Sequence, residues 1–358
     1  MLLLERSVYL KSKVLIFGSG WRVEGYLRIM KTLSQTYEVT AVITTNKSKK
    51  LLYTEQGFTC VATLEEALAI EEPDFILLCI NMKFQAAKVL ELLDVGIPIL
   101  VETPLGTSWQ ELQAIQNHPQ SHRYLQVAEQ YRYRPLSQAR LTIANQGVIG
   151  QPHTAQISVT NNYHAFSLMK SYLGTPGRLR SVSAKSFVSP TRSGFSREKD
   201  TMGTEKQSEQ RILALAEFEN GYGIYDFESN QHRSDTRFSS LAIRGEKGEI
   251  RDEFARYITH DGPVEGKLIR IERGINENME GFGLKGIQFN RQWVYQNPWP
   301  NVAFSDDDIA TATVLEKMRE FCQGGHSFYG VDDAIEDMEF TLLLEQALED
   351  EEKVFTLP

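Results

Sequence analysis

The 358-residue sequence is poor in the residues on which several classes of protein depend. Its three cysteines, Cys60, Cys79 and Cys322, are odd in number and share no metal-ligand spacing. This excludes a disulfide scaffold and a zinc finger, and it favours reduced thiols in the cytoplasm. No apolar run approaches the ~20 residues that cross a bilayer. The start of the chain is too weakly apolar for a secretory signal, so we expect a cytoplasmic protein without a membrane segment.

Basic side chains are also scarce relative to acidic ones, with 38 Lys and Arg against 47 Asp and Glu and a net charge of -9. A nucleic-acid-binding protein needs a basic face, so we do not expect this protein to bind nucleic acid. The pair His118 and His122 is also unsuited to binding a metal. Pro119 interrupts the helix that would align the two side chains. We therefore expect no metal site.

What is present is the composition of a globular protein, 41% hydrophobic and 24% charged, long enough for roughly two domains. The first third alternates short apolar strands with segments of helical spacing, which is typical of a doubly wound parallel sheet. The strands predicted there are Lys13–Phe17, Val39–Thr44, Asp74–Ile80, Ile97–Val101 and Leu125–Glu129, and the helices are Val23–Leu33, Thr63–Ala69 and Gln85–Leu93. We assign residues 1–132 to this α/β domain.

Beyond Tyr133 the pattern changes to alternating strands joined by tight turns, which indicates an antiparallel sheet. Asn220-Gly221 and Gly245–Gly248 supply two of these turns. The strands predicted there are Thr154–Thr160, Val182–Val188, Ile212–Phe218, Tyr222–Glu228 and Ser239–Arg244, with helices at Pro135–Asn145, Asp306–Cys322 and Asp332–Glu349. Ser189–Gln210 is expected to be a long loop, mobile or a lid, and Arg273–Asn301 has no period. Residues 133–358 form a second α/β domain with an open, largely antiparallel sheet.

Gly18-Ser19-Gly20 follows the first strand directly and precedes a helix. At such a position Gly18 permits a tight turn, and Gly20 lets backbone N–H groups approach a pyrophosphate at the helix N-terminus. The third glycine of the usual fingerprint is replaced by Val23. The motif predicts a dinucleotide site, with an ordinary strand-to-helix turn as the alternative.

The end of the second strand reads Thr44-Thr45-Asn46-Lys47, with no carboxylate to bind a ribose diol. Hydroxyls and lysine suit a 2′-phosphate better, so the residues favour NADP(H) over NAD(H). The alternative is a solvated basic loop with no ligand.

Landmarks further along the chain resemble those of the Gfo/Idh/MocA oxidoreductases, named for glucose-fructose oxidoreductase and inositol dehydrogenase. They are the glycine loop at Gly18, Val101-Glu102-Thr103-Pro104, the stretch from Val127 to Pro135, Gly147–Gly150, Tyr163-His164, Ser167-Leu168 and Leu173-Gly174. Their order and spacing make the resemblance specific over nearly the whole chain.

The resemblance implies a Rossmann domain, a second domain facing the nicotinamide end of the cofactor, and dimers or tetramers built through the second sheet. Carried onto this chain, and combined with the glycine-loop and strand-end residues above, it indicates a set of cofactor-contacting residues. They are Gly18, Ser19, Gly20, Trp21, Thr44, Thr45, Asn46, Lys47, Cys79, Glu102 and Gln130. Cys79 is also expected to be buried and chemically inert.

The chain departs from the family at three catalytic positions. Thr103 replaces the lysine of Glu-Lys-Pro, and Thr160 and Ser167 stand where the family often has aspartate. His164 matches the family's histidine and would act as general acid or base, although a buried structural histidine is the alternative. Thr103 would polarise the substrate oxygen, and Tyr163 would assist if the backbone is irregular. Arg132 is expected on the same strand face as Gln130. There it would offset the missing lysine charge, with an ion pair to a surface carboxylate as the alternative.

These residues predict an NAD(P)-dependent oxidoreductase that transfers hydride to or from a sugar, polyol or related hydroxy or keto compound. The alternative is a sensor of the same fold that binds the dinucleotide without turnover, as in the yeast repressor of the galactose regulon. A third possibility is a redox-neutral sugar-modifying enzyme that reuses its nucleotide. We expect a small carbohydrate-like substrate and a homodimer or homotetramer.

Overall fold

The structure, a computed structural model, describes residues 11–174, 176–192, 206–234, 236–274, 280–350 and 353–356. The described residues divide into two compact units. The first contains the residues up to Glu129 together with Thr311–Ile335, and the second contains Gln130–Ala310 and the residues from Glu336 onward. The predicted domain boundary after residue 132 stays a prediction.

The first unit is built on a parallel sheet. Its strands are β1 (Ser12–Phe17), β2 (Tyr37–Ile43), β3 (Cys60–Val61), β4 (Phe75–Leu78), β5 (Ile99–Val101) and β6 (Leu125–Val127). The helices between them are α1 (Trp21–Thr32), α2 (Lys47–Glu55), α3 (Leu64–Ile70), α4 (Met82–Leu93), α5 (Trp109–Gln116) and α6 (Ser121–Tyr124). Among the described residues the strand order is β3-β2-β1-β4-β5-β6, the doubly wound arrangement that the sequence predicts.

Local sequence explains these elements well. Every residue of β4 is fully buried, as expected for a parallel strand covered on both faces. Thr63 caps α3 by accepting a hydrogen bond from the Glu66 amide at 3.2 Å, and the Glu66 carboxylate accepts one from the Ala62 amide at 2.8 Å. Helix α2 was not predicted, because its apolar spacing is weak; an Asn46 cap starts it at Lys47.

The second unit carries a mixed sheet. Its elements begin with α7 (Pro135–Asn145), β7 (Pro152–Ser158), α8 (Asn162–Leu173), β8 (Leu179–Arg192), β9 (Lys206–Phe218), β10 (Gly221–Glu228), β11 (Ser240–Gly245) and β12 (Gly248–Arg251). They continue with β13 (Phe254–Thr259), β14 (Gly262–Arg273), β15 (Gly283–Phe289), β16 (Gln292–Gln296) and β17 (Phe355–Thr356), and with two short 3-10 helices, Tyr131–Tyr133 and Gln231–Arg233. Helices α9 (Asp306–Cys322) and α10 (Val331–Glu349) complete the chain.

The strand order in the second unit is β16-β15-β14-β13-β12-β11-β7-β10-β9-β8-β17 over the described part of the chain. Both predicted turns are confirmed, since β9 and β10 pair antiparallel across Asn220-Gly221 and β11 and β12 pair across Gly245–Gly248. The pair β10–β7 is parallel, so the sheet is largely rather than wholly antiparallel. Phe166 of α8 fixes the helical layer on this sheet, stacking on Phe218 at 5.3 Å and on Phe340 at 4.9 Å between ring centroids.

Two expectations about this unit are wrong, and one stretch without a predicted element contains strands. The predicted loop Ser189–Gln210 contains the end of β8 and the start of β9, because these polar residues pair with each other across a long hairpin; residues 193–205 lie outside the described residues. The unassigned stretch Arg273–Asn301 contains β15 and β16. Arg132 lies in a 3-10 helix and not on a strand, because β6 ends at Val127.

Candidate functional site

The glycine loop joins β1 to α1 in a conformation that requires glycine at its first position. Gly18 has a φ of +133°, and a Cβ there would overlap the carbonyl oxygen of Cys79 on the neighbouring strand. Gly20, the N-cap of α1, has an ordinary extended backbone, and the space where its Cβ would lie is open. No side chain caps this helix end, so its first-turn N–H groups remain suited to a pyrophosphate.

Hydrogen bonds tie this loop to the end of β2. The hydroxyl groups of Ser19 and Thr44 are 2.8 Å apart, and Tyr53 of α2 donates its hydroxyl to the Ser19 carbonyl at 3.2 Å. Thr44 is buried, whereas Thr45 is exposed. The structure therefore brings Gly18–Gly20 and Thr44–Thr45 together at the carboxyl edge of the sheet, where doubly wound folds bind ligands.

The basic segment after β2 is the first turn of α2. Asn46 is committed to capping this helix, since its side-chain oxygen accepts from the amides of Ser48 and Lys49, each at 3.1 Å. Lys49 forms an ion pair with Glu24 of α1, while Lys47 at the helix start is exposed.

Glu102, directly after β5, joins three elements of the first unit. Its Oε1 accepts hydrogen bonds from Arg22 Nε at 2.9 Å and from the Tyr26 hydroxyl at 2.6 Å, both on α1. The side-chain amide of Gln85 on α4 donates to the Glu102 carbonyl. Burial, followed by the Glu102 charge, raises the pKa of Tyr26 well above its ordinary value. Glu102 thus fixes α1 against the end of β5.

Two other predicted residues lie on these loops. Thr103 is half-buried and follows Glu102, with a cis bond to Pro104. Cys79 is buried at the end of β4, and its backbone amide donates to the Phe17 carbonyl at 2.9 Å. Burial and the nearby Glu102 raise the pKa of the Cys79 thiol, which keeps it protonated and unreactive.

His164 lies in the first turn of α8 and not on a strand, so the predicted strand geometry of Tyr163 and His164 is wrong. The imidazole is buried between two aromatic rings, 4.4 Å from Tyr131 and 4.3 Å from Tyr163 between centroids. On a helix, neighbouring residues point about 100° apart. Tyr163 and His164 therefore lie side by side without irregular backbone.

The start of α8 is anchored to the sheet below it. Asn162 has a positive φ of 40°, and its backbone amide donates to the Tyr225 hydroxyl at 3.3 Å. The same hydroxyl donates to the Asn162 side-chain oxygen at 3.3 Å. Burial raises the pKa of Tyr225 to about 12, so it stays a neutral donor at physiological pH.

On its other side, Tyr131 is covered by a cation. The Arg134 guanidinium carbon lies 4.2 Å from the Tyr131 ring centroid, and Arg134 forms an ion pair with Asp307 at 2.8 Å. This ion pair balances the charge of Arg134 and fixes the ring that packs against His164.

Several buried side-chain atoms of the same unit have no hydrogen-bond partner. Those within four positions of Tyr131 or His164 are Gln130 Oε1, Arg132 Nε, Arg134 Nε and Thr160 Oγ1. Gln130 and Arg132 flank Tyr131, and Thr160 precedes His164 by four residues. A buried polar atom without a partner is costly in a folded protein, so such atoms mark a place where a ligand completes the hydrogen bonding.

Comparison with known proteins relates most of the first unit to a family of oxidoreductases. Residues 12–131 match the family profile of the Gfo/Idh/MocA oxidoreductases, described as an oxidoreductase family with an NAD-binding Rossmann fold. This match covers about a third of the chain. The resemblance on which the sequence analysis relied is therefore confirmed. No curated protein sequence matches the chain.

Solved structures extend the likeness in fold to both units. An oxidoreductase from Agrobacterium radiobacter, in complex with NAD+, L-tartaric acid and magnesium, has a TM-score of 0.68 at 14% identity, over 97% of this chain and 98% of that one. A myo-inositol dehydrogenase from Corynebacterium glutamicum has a TM-score of 0.66 at 14% identity, over 98% and 99%. The WlbA dehydrogenase from Bordetella pertussis, in complex with NADH and UDP-GlcNAcA, has a TM-score of 0.61 at 13% identity, over 98% and 99%. At these identities the likeness establishes the fold.

The predicted residues fall into two groups, one in each unit. The first unit holds Gly18–Trp21, Thr44–Lys47, Cys79, Glu102 and Thr103, and the second holds Gln130, Tyr163 and His164. Sequence reasoning missed Arg22, Tyr26 and Gln85, which hold Glu102. Only Arg22 had a signal in the sequence, as a cation at the start of α1 beside the glycine loop.

Two further findings concern the described part of the chain alone. No helix there is both long and apolar enough to cross a membrane. No group of three or more His, Cys, Asp or Glu side chains in those residues is arranged to hold a metal ion.

Proposed function

We propose that this chain is an oxidoreductase that uses a nicotinamide dinucleotide and acts on a CH–OH group, or the corresponding carbonyl, of a sugar, polyol or related compound. The observation that carries the proposal is the glycine loop of a matched NAD-binding family, with Gly18 in a glycine-only conformation and open space at Gly20. When bound, the nicotinamide ring supplies hydride transfer. The chain's own residues must bind and orient the cofactor and the substrate, and they must exchange the proton with the substrate oxygen.

His164 is the residue we assign to the proton. Oxidation of an alcohol releases a proton from the substrate oxygen, and reduction of a carbonyl requires one. An imidazole nitrogen can accept or donate a proton, and the Tyr131 and Tyr163 rings pack against this one on both sides. Thr103 has a hydroxyl that donates a hydrogen bond to the same oxygen in our proposal, and Tyr163 is a second donor.

A turnover assay tests this assignment. Sugars and polyols are screened for a change in reduced-nucleotide absorbance, and the active compound is compared between the wild-type protein and His164→Ala. We expect His164→Ala to lower kcat/KM by about 10²- to 10⁴-fold, the usual contribution of general acid–base catalysis. His153→Ala, at an exposed position, is the matched control and should retain full activity. Equal activity in His164→Ala would refute the assignment, and binding without turnover would favour a sensor.

We propose further that NADP(H) is preferred to NAD(H). The strand end that meets the ribose of the dinucleotide has hydroxyls at Thr44 and Thr45 and no carboxylate. Lys47 adds an exposed positive charge in the first turn of α2. The hydroxyls and the lysine charge can bind the 2′-phosphate of NADP(H). NAD-selective sites carry an Asp or Glu there, which repels this phosphate.

We also propose a homodimer or homotetramer, with a second copy covering the open face of the sheet in the second unit. In β9, Leu213 and Leu215 are exposed, whereas Ala214 and Ala216, which alternate with them, are buried in the core. Residues paired across adjacent strands point to the same face, and following the register across the sheet places more exposed apolar residues on the face of Leu215. They are Phe187, Tyr222, Phe254, Ile258, Ile269 and Trp293. An apolar face of this extent is typical of an interface.

The proposed location is the cytoplasm. The sequence argument for it is the low and odd number of cysteines.

A further inference from the structure

We infer that the substrate of this site carries a carboxylate, which Arg132 binds, and that it is therefore a sugar acid or a related hydroxy acid. The inference rests on the proposed function and deepens it by naming the substrate class. It starts from three of the unpartnered buried atoms of the second unit, those of Gln130 and Arg132, which flank Tyr131, and of Thr160, which precedes helix α8.

The charge of Arg132 is not balanced by the protein. Its guanidinium lies 5.3 Å from the ring centroid of Tyr133, and within the described residues no carboxylate lies within ion-pair distance of it. The side chain is only partly exposed and its Nε is fully buried without an acceptor. A guanidinium whose Nε is buried without an acceptor is stabilised by an anion that accepts two parallel hydrogen bonds. A carboxylate has this geometry.

Arg134, two residues further on, shows the contrast. Its Nε is also buried without an acceptor, but Asp307 lies 2.8 Å from its Nη2, so its charge is balanced within the protein. The region around Tyr131 therefore has one uncompensated guanidinium. A single such charge matches a monovalent carboxylate better than a doubly charged phosphate, which is usually held by several donors.

The two neutral atoms identify the rest of the ligand. Gln130 Oε1 is an acceptor without a donor, on a side chain that is 8% exposed, and Thr160 Oγ1 is unpartnered on a side chain that is 2% exposed. A ligand hydroxyl donates to the first and exchanges a hydrogen bond with the second. Carboxylate and hydroxyl groups on one small molecule define a hydroxy acid.

The substitutions at positions 160 and 167 agree with this inference. The family resemblance implies aspartate at both, and this chain has Thr160 and Ser167 instead. An aspartate at either position would carry a negative charge that repels an anionic substrate. Removing both leaves the positive charge available to the ligand.

Calorimetric titration of the full chain, with reduced nicotinamide nucleotide present, tests the inference with matched probes. D-Glucuronate is compared with D-glucose and with D-glucose 6-phosphate, and D-gluconate with sorbitol. We expect each acid to bind at least about 10-fold more tightly than its neutral counterpart, the scale of a charge-assisted pair of hydrogen bonds. Equal or tighter binding of the neutral compounds, tighter binding of the phosphate, or no binding of the acids at millimolar concentration would overturn it.

Variants assign the effect to residues. Arg132→Gln should weaken acid binding by about 10- to 100-fold and leave neutral compounds unchanged, and Arg132→Lys should recover part of the loss. Thr160→Asp should weaken acid binding more than the uncharged Thr160→Asn, which removes the hydroxyl contact without adding a negative charge. Arg256→Gln, at an exposed arginine paired with Glu265, is the control and should have no effect. A loss of nucleotide affinity in Arg132→Gln with acid binding intact would place Arg132 at the cofactor and refute the inference.

Nucleotide affinity, measured separately, distinguishes the two proposals. Binding of nucleotide together with a preference for neutral polyols would leave the proposed function standing and remove this inference. Arg132-dependent binding of acids without any nucleotide binding would support this inference and refute the proposed function.

Discussion

At the scale of single residues, the candidate site depends on contacts between residues far apart in the sequence. Glu102 was expected to contact the cofactor, but its Oε1 accepts hydrogen bonds from Arg22 and Tyr26, which lie about 80 positions earlier. Spacing and motif could identify Glu102, because it follows an apolar strand. They could not identify its partners, because only the fold brings α1 to the end of β5.

Thr45 provides the residue-scale prediction. Thr45→Asp places a carboxylate at the strand end, where it would repel a 2′-phosphate and accept the two ribose hydroxyls of NAD. We expect the ratio of NADH to NADPH affinity, measured by fluorescence titration, to rise by at least about 10-fold, since like charges brought together in a site cost several kcal/mol. Thr45→Asn has the same shape without the charge and should leave the ratio unchanged. An unaltered ratio in Thr45→Asp would show that this position does not meet the ribose.

At the scale of elements, the β1–α1 turn offers a matched pair of glycines. Gly18→Ala forces a side chain into a φ of +133° and onto the Cys79 carbonyl, so we expect the free energy of unfolding to fall by about 1–3 kcal/mol. Gly20→Ala meets open space at an ordinary backbone conformation, so stability should stay within about 0.5 kcal/mol. Urea denaturation measures both. Equal stability of Gly18→Ala and the wild-type protein would contradict the strained-turn account.

The sequence predicted elements well where a local signal existed. Asn220-Gly221 marked a hairpin because both residues tolerate the required turn, and Pro135 began a helix where its missing N–H is not needed. Helix α8 was not predicted because Tyr163 and His164 were assigned to a strand. Phe166, Met169 and Leu173 nevertheless repeat at helical spacing. The β8–β9 hairpin was missed because polar strand ends look like a loop until the partner strand is known.

At the scale of the whole molecule, the exposed apolar face of the second sheet predicts self-association. Leu215→Glu puts a charge on that face, and we expect it to shift the assembly toward a single chain, because burying an unpaired carboxylate in an interface is costly. Light scattering after size-exclusion chromatography measures the mass. Leu51→Glu, at an exposed apolar residue of α2, is the control and should not change it. A wild-type protein of single-chain mass would contradict the assembly directly.

The central claim is that the first unit binds a nicotinamide dinucleotide at its glycine loop. Calorimetric titration of NADPH and NADH into the wild-type protein and into Gly20→Ala tests it most directly. We expect saturable binding to the wild-type protein and a clear loss of affinity in Gly20→Ala, because the added methyl group occupies the space through which the backbone N–H groups reach the pyrophosphate. Absence of binding of either nucleotide at millimolar concentration, or equal affinity in the stable Gly20→Ala variant, would contradict it.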